Sequence, residues 1–596
     1  MCGIVGYIGN RAAQSVLTNS LSRLEYRGYD SCGIAIRGSG ITVFKDAVRV
    51  EELQRISPLL KGETGIGHTR WATHGEPSPV NAHPHLDCSG RIAVVHNGVI
   101  TNYQELRQQL ADEGHDLVSE TDSEVIPHLI EKYYQGNLEE AVTAALGDVK
   151  GSYAIVVLIE DEAKLVIARN ESPLVVGIGD RETFIASDVP GILDYTNRVI
   201  YLEDEDICAI TRESIRITNN GAEVIRKEHH ITWDTEDINK AGYEHFMLKE
   251  IHEQPRVIRD TIREYSLSTD AIIDRQLLID NGPEALLILA CGTSYHAGLV
   301  GKYFMEELLG FPVRVELASE FNYCGRTIPF TQAIVITQSG ETADVLLALK
   351  KLRKTEAGIR TLVITNVMNS TVSRIGDLTI YTKAGPEVGV AATKTFTAQL
   401  VALYLLALSH VGLNRMIAER LMVELRQLPA KVQGVLSNEQ QIMNCAMYLS
   451  RYNNAFFIGR GMNLAAALEG ALKLKEISYI HAEGYAAGEL KHGTFALLTK
   501  DTPVIAIVAR DNTYDSMLTS IKEVKARKSP VIALVDEYDE VVQELVDMVI
   551  RVPCTSNVFS PVVYSVALQL LAYYTARYRG CPIDFPRNLA KSVTVE

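Results

Sequence analysis

The apolar positions of this chain change rhythm near residue 225. Before it, short β-branched runs lie between turn residues: Ile4-Val5-Gly6-Tyr7-Ile8, Gly33-Ile34-Ala35-Ile36, Ile92-Ala93-Val94-Val95 and Ala154-Ile155-Val156-Val157-Leu158-Ile159. Helical spacing shows near 11–24, 103–113 and 122–134. This mixture predicts a sheet-dominated α/β layer domain over 2–225. A polar stretch at 226–244, with His229-His230 and Trp233-Asp234-Thr235-Glu236-Asp237, reads as a linker whose histidines are solvated rather than metal-bound.

Beyond the linker, solid apolar runs alternate with helical segments, and the pattern occurs twice. Leu286-Leu287-Ile288-Leu289 answers to Ala455-Phe456-Phe457-Ile458, and 333–336, 361–364 and 378–381 answer to 504–508, 531–535 and 548–551. Each pair is offset by about 170 residues, and an apolar helix closes both copies at 396–411 and 561–577. Strands without polar alternation are buried on both faces, so each copy predicts a doubly wound parallel α/β sheet. The expected domains are 245–428 and 429–580, followed by a polar tail at 581–596.

Composition narrows the classes. A chain of 596 residues needs several cores, and its 46% hydrophobic and 22% charged content is globular. The net charge of −16 disfavours a nucleic-acid partner. Nine scattered cysteines without a C-x-x-C pair argue for a reducing compartment and against a disulfide framework or a zinc site. No basic-then-apolar leader opens the chain, and the greasiest run, 400–408, is too short for a bilayer. The expectation is a cytoplasmic protein with no membrane partner.

Candidate chemistry begins at Cys2. A small second residue favours removal of Met1, which would leave a thiol and a free α-amine on one residue. That amine, with a pKa of about 8, can deprotonate the thiol without a histidine. Cys2 also fits an ordinary small residue opening a strand. His68-Thr69-Arg70-Trp71-Ala72-Thr73-His74-Gly75 packs polar groups into one loop, and His96-Asn97-Gly98 follows a strand where an amide and a backbone N–H could hold an oxyanion. Asp122, in Ser119-Glu120-Thr121-Asp122-Ser123-Glu124, fits a helix N-cap as well as a binding carboxylate.

Together with Tyr26-Arg27-Gly28-Tyr29-Asp30-Ser31, these motifs resemble the class II glutamine amidotransferase family. The resemblance implies an αββα N-terminal-nucleophile hydrolase domain that forms a γ-glutamyl thioester on Cys2. It further implies that Arg70 clamps the glutamine carboxylate, Asp122 takes its ammonium, and Asn97 with Gly98 forms the oxyanion hole. Thr73 and His74 would line the pocket, with Trp71 gating the passage between two active sites.

In the second half, Cys291-Gly292-Thr293-Ser294 and Thr337-Gln338-Ser339-Gly340-Glu341-Thr342 follow strands where doubly wound sheets bind ligands. Hydroxyl-rich turns at helix N-termini suit a phosphate monoester, or serve as plain helix caps. No G-x-x-x-x-G-K-[ST] loop is present, which disfavours a nucleoside triphosphate. Glu469, Lys473 and Glu476 fall on one helix face, either as a solvated stripe or as acid–base machinery.

These loops are similar to the sugar isomerase (SIS) domain family. The complete arrangement, with the 243–251 segment, His481-Ala482-Glu483-Gly484 and the 586–596 tail, resembles the glutamine–fructose-6-phosphate aminotransferase family. The resemblance implies conversion of fructose 6-phosphate and glutamine to glucosamine 6-phosphate and glutamate, the entry to hexosamine synthesis. Thr293, Ser294, Thr337, Gln338, Ser339 and Thr342 would bind the sugar phosphate. Glu476 would move the C1–C2 proton, His492 would open the ring, Lys473 and Glu469 would support them, and Lys591 would form a Schiff base. The family implies no metal or cofactor, an internal ammonia channel, and a homodimer in which His492 crosses between subunits. Thr337 and Ala392 stand where the family usually has serine, which keeps a related enzyme for another sugar phosphate as the alternative. A catalytically silent sugar-phosphate sensor would have no need of Glu476, His492 and Lys591.

Overall fold

The computed structural model describes residues 2–231, 239–266, 285–323, 330–354, 358–410 and 413–594. Trp233 to Asp237 of the expected linker lie outside the described residues. The chain divides into two compact units, Met1–Ile238 with Ala590–Glu596, and Asn239–Leu589.

Alternation along the strands builds the first unit in layers. An eight-stranded sheet that includes Gly3–Ile8 and Thr64–Arg70 faces a seven-stranded sheet that includes Ile92–Ile100 and Gly151–Ile159. Ile4, Ile8 and Ile66 of one sheet pack with Ala93, Val95, Val156 and Leu158 of the other. The intervening Ile92, Val94, Ile155 and Val157 turn outward onto Leu106, Leu110, Ile126 and Leu129 of the flanking helices. On the opposite outer face, Gly65 and Gly67 leave room for Leu17 and Leu21 of the helix Ala13–Arg23. The stacking is αββα, with the inner strands apolar on two faces.

One part of the expected linker is structured. Glu228–His230 pairs with Arg198–Tyr201 as an edge strand, and Arg198 Nε meets Glu228 Oε1 at 2.6 Å. Its polarity reflects exposure at a sheet edge.

The second unit holds two five-stranded parallel sheets. Their orders are Val313–Leu317, Leu286–Ala290, Gln332–Ile336, Arg360–Thr365, Leu378–Tyr381, and His481–Ala486, Asn454–Gly459, Val504–Val508, Val531–Asp536, Met548–Val552. The topology is the same in both, as the repeat predicts. Lys394–Leu408 is buried on all sides, and so is most of Ser560–Tyr578. By length and composition the helix Asn557–Tyr578 could cross a membrane, which the 400–408 run could not, but its most apolar window is 94% buried inside this unit. The helix Arg415–Leu436 runs through the expected junction at 428/429. Asp584 caps the helix Phe246–Ser266 from the far end of the unit, accepting from the Phe246 and Met247 N–H groups at 3.0 Å.

Candidate active sites

In the first unit, Cys2 sits immediately before the central strand Gly3–Ile8. Its carbonyl oxygen accepts from Asn97 Nδ2 at 2.9 Å and from Arg27 Nε at 3.2 Å, while the Trp71 N–H points at its Sγ from 3.3 Å. The 26–31 motif supplies the frame. Arg27 pairs with Asp188 at 3.0 Å, Tyr26 donates to the same carboxylate at 2.6 Å, and Asp30 accepts from the Ala72 N–H at 2.8 Å.

One pocket is lined by Cys2, Arg70, Trp71, Thr73, Asn97, Gly98 and Asp122. The structure therefore gathers seven of the expected residues, and His74 approaches Asp122 to 4.0 Å. Arg70 is 4% exposed. Its Nη2 donates to the carbonyl oxygens of His74 and Gly75, and its buried Nη1 has no hydrogen-bond partner. A guanidinium corner left open in a pocket suits a carboxylate. Burial lowers the Arg70 pKa, against the pull of Cys2, Asp30 and Asp122. Asp122 does not cap a helix. It accepts the Ile100 N–H at 2.8 Å, and the helix that follows starts at Val125 behind Glu124. Gly98 takes φ +129°, and a Cβ there would lie 2.0 Å from the Ser152 carbonyl oxygen.

His83, His96, Thr121, Ser123 and Thr594 also line this pocket, and of these only His83 lies outside the sequence motifs. Burial pushes the His68 pKa down to about 3 and lowers those of His83, His85 and His96, so a nest of uncharged imidazoles backs the site. His68 and His83 stack at 4.1 Å.

In the second unit, the helix Met462–Ser478 carries the expected acid–base face, and that face is buried. Glu469 and Lys473 are each 1% exposed, which overturns the solvated stripe. Lys473 Nζ lies 2.6 Å from Glu476 and 3.5 Å from Glu469. Burial lowers the Lys473 pKa, but Glu476 and Glu469 together outweigh it and the net shift is upward. Thr293 joins the two sheets' loops here, donating to Glu469 at 3.1 Å and accepting from Lys473 at 3.1 Å. His296, which no sequence motif marks, contacts Glu469 at 2.7 Å.

The second hydroxyl loop folds on itself. Thr337 and Thr342 hydroxyls meet at 3.0 Å, and the Gly340 N–H donates to Thr337 at 3.3 Å. The Glu341 N–H donates to Ser339 at 3.1 Å, and Gln338 accepts from the Asn366 N–H. Ser294 is buried and accepts from Gln399 at 3.0 Å. His492 is exposed on the turn Glu489–His492, and no hydrogen bond among the described residues joins it to the triad. Lys591 groups with the first unit.

A pocket lined by Cys2 on an αββα layer fold, and a buried Glu–Lys–Glu cluster in a unit of paired parallel sheets, fit a glutamine amidotransferase joined to a sugar isomerase module. The glutamine amidotransferase domain family matches residues 68–194, and the SIS domain family matches 282–409 and 448–577. Over the full length of both chains, this protein is 48% identical to a glutamine–fructose-6-phosphate aminotransferase (isomerizing) of Caldanaerobacter subterraneus subsp. tengcongensis. It is 47% identical, again over both full lengths, to the protein of that name from Thermococcus kodakarensis. The solved C-terminal domain of glucosamine-fructose-6-phosphate aminotransferase from Francisella tularensis matches 58% of this chain and 99% of its own. Its identity is 39% and its TM-score 0.55. The chain belongs to the glutamine–fructose-6-phosphate aminotransferase (isomerizing) family.

Proposed function

We propose that this chain transfers the amide nitrogen of glutamine to fructose 6-phosphate and isomerises the adduct, releasing glucosamine 6-phosphate and glutamate. The observation that carries it is full-length identity of 48% to a protein of that name, together with both sites in one chain. After loss of Met1, the Cys2 amine takes the thiol proton and the thiolate attacks the glutamine amide carbon. Asn97 Nδ2 and the Gly98 N–H hold the oxyanion, Arg70 holds the α-carboxylate, and Asp122 holds the ammonium. Collapse expels ammonia, and water then cleaves the thioester. Ammonia is about 99% protonated at neutral pH if free in water, so a sealed route past Trp71 keeps it nucleophilic.

At the second site, after His492 opens the ring, the ketose carbonyl loses water as it condenses with Lys591. Ammonia displaces it, and Glu476 removes a proton from C1 and returns one to C2. Lys473 and Glu469 set the charge around Glu476. The helix-terminal hydroxyls of 337–342 receive the phosphate. The enzyme works as a cytoplasmic homodimer in which His492 serves the partner's site.

The test is turnover by the full-length protein with glutamine and fructose 6-phosphate. Equal yields of glutamate and glucosamine 6-phosphate are expected, and Cys2→Ala should lose the glutamine-dependent reaction while keeping the ammonia-dependent one. Amination of a different ketose phosphate in preference would favour the alternative substrate, to which Thr337 and Ala392 point.

A further inference from the structure

Away from both sites, four side chains meet at the surface of the first unit: Cys88, His115, His128 and Glu131. They come from three segments separated in sequence. Cys88 follows the short strand His85–Leu86, His115 follows the helix Tyr103–Asp112, and His128 and Glu131 lie one turn apart on the helix Val125–Tyr133. Only this last pair is local, so the cysteine spacing that argues against a zinc site could not register the cluster.

The geometry is that of a coordination shell. Cys88 Sγ lies 3.5 Å from His115 Nδ1 and 3.3 Å from His128 Nδ1. Glu131 Oε2 lies 3.1 Å from His115 Nδ1 and 3.6 Å from His128 Nδ1. All donor atoms fall within 4.8 Å of one another. A tetrahedral zinc ion bound by one sulfur and three nitrogen or oxygen donors has sulfur–nitrogen edges of about 3.5 Å and nitrogen–oxygen edges of about 3.3 Å. The four edges scatter around those values.

Both imidazoles turn the same nitrogen, Nδ1, toward one point, where a thiol and a carboxylate also converge. One ion at that point would be bound by all four donors, with the thiol proton released. The surroundings suit a cation. The Asp116 backbone hydrogen-bonds the Cys88 thiol, the Cys88 N–H orients Glu131 Oε2 at 3.1 Å, and Glu124 and Asp87 add negative charge around His128.

We propose that Cys88, His115, His128 and Glu131 form a structural zinc site that staples the 87–90 turn, the 113–118 segment and the helix Val125–Tyr133 together. Four protein donors close the tetrahedron and leave no position for substrate, and a mixed thiolate, imidazole and carboxylate set favours zinc over magnesium or calcium. The exposed Cys88 gives the ion a way in.

The experiment is metal analysis of the full-length protein after dialysis in metal-free buffer, followed by cobalt(II) replacement. About one zinc per chain is expected. The cobalt form should show a thiolate-to-cobalt band in the near ultraviolet and the intense visible bands of tetrahedral geometry. Cys88→Ser should abolish the near-ultraviolet band, and Glu131→Gln should weaken zinc binding by on the order of tenfold or more. Zinc lost on dialysis, or a weak octahedral cobalt spectrum unchanged in Cys88→Ser, would overturn the site. Should a variant fail to fold, the wild-type protein still decides: chelation must lower its melting temperature and added zinc restore it, and an unchanged melt contradicts the staple.

Discussion

His68 Nε2 lies 3.0 Å from the His96 carbonyl oxygen and 3.1 Å from Asn97 Oδ1. Both are acceptors, so Nε2 carries the hydrogen and donates it. With Oδ1 held in this way, the Asn97 amide has one orientation left, and Nδ2 faces Cys2 at 2.9 Å from its carbonyl oxygen. A buried imidazole thus aims the amide proposed for the oxyanion hole. His68→Leu should therefore lower glutaminase kcat, by roughly tenfold, through loss of orientation. Asn97→Ala removes the donor itself and should cost about 10²–10³ in kcat. Because burial holds the His68 pKa near 3, kcat should show no histidine titration from this residue between pH 5 and 9. An inflection that disappears in His68→Leu would contradict the assignment.

Arg70 makes a second prediction. Its Nη2 is used up on backbone carbonyls while the buried Nη1 has no hydrogen-bond partner. Lysine would supply charge without the fork. Arg70→Lys should lower kcat/KM for glutamine by about 10- to 100-fold, from a charged hydrogen bond of about 1.5–3 kcal/mol. Ammonia-dependent synthesis should be unaffected.

The contrast between these sites and the sequence is physical. The apolar strands of both sheets, the repeat and the loop-borne residues were legible because period and turn chemistry are local. Val313–Leu317 and His481–Ala486 were missed as strands, since both lie at sheet edges and read Val-Arg-Val-Glu-Leu and His-Ala-Glu-Gly-Tyr-Ala. Helical spacing placed Glu469, Lys473 and Glu476 on one face. Whether that face meets water depends on Thr293 and His296, which lie more than 170 residues earlier. The acceptor role of Asp122 was likewise invisible, because its partner is the Ile100 N–H on another element.

The buried triad sets a third prediction. Removing the cation leaves Glu469, 1% exposed, with Thr293 and His296 in place of the lysine ammonium. Lys473→Met should destabilise the protein by about 3–5 kcal/mol, read as a shift in the denaturant midpoint. The double variant Lys473→Met/Glu469→Gln should recover part of that loss, since one orphaned charge is gone. The pH dependence has a definite sign. The Lys473 pKa is raised above its ordinary 10.5, so its stabilising charge is complete below pH 10.5 and is lost only as pH climbs through the higher folded value. Denaturant midpoints from pH 6 to 9 should show no contribution from this lysine.

The loop proposed to receive the phosphate gives the last prediction. Gly340 takes φ +70°, and a Cβ there would fall 2.0 Å from Ser370 Oγ. Its N–H meanwhile donates to Thr337, whose hydroxyl also touches Thr342. Gly340→Ala must therefore push either the loop or Ser370 aside, and the left-handed backbone adds about 1 kcal/mol of strain. Displaced hydroxyls no longer converge on one anion, so KM for fructose 6-phosphate should rise by tenfold or more. Glutamine hydrolysis, measured without the sugar, should keep its wild-type rate because the loop belongs to the other unit. Replacing Ser370 by glycine in the same protein removes both clashing atoms, the hydroxyl and a Cβ 2.3 Å away, and should restore part of the affinity. A KM unchanged in Gly340→Ala would mean that the phosphate is held elsewhere.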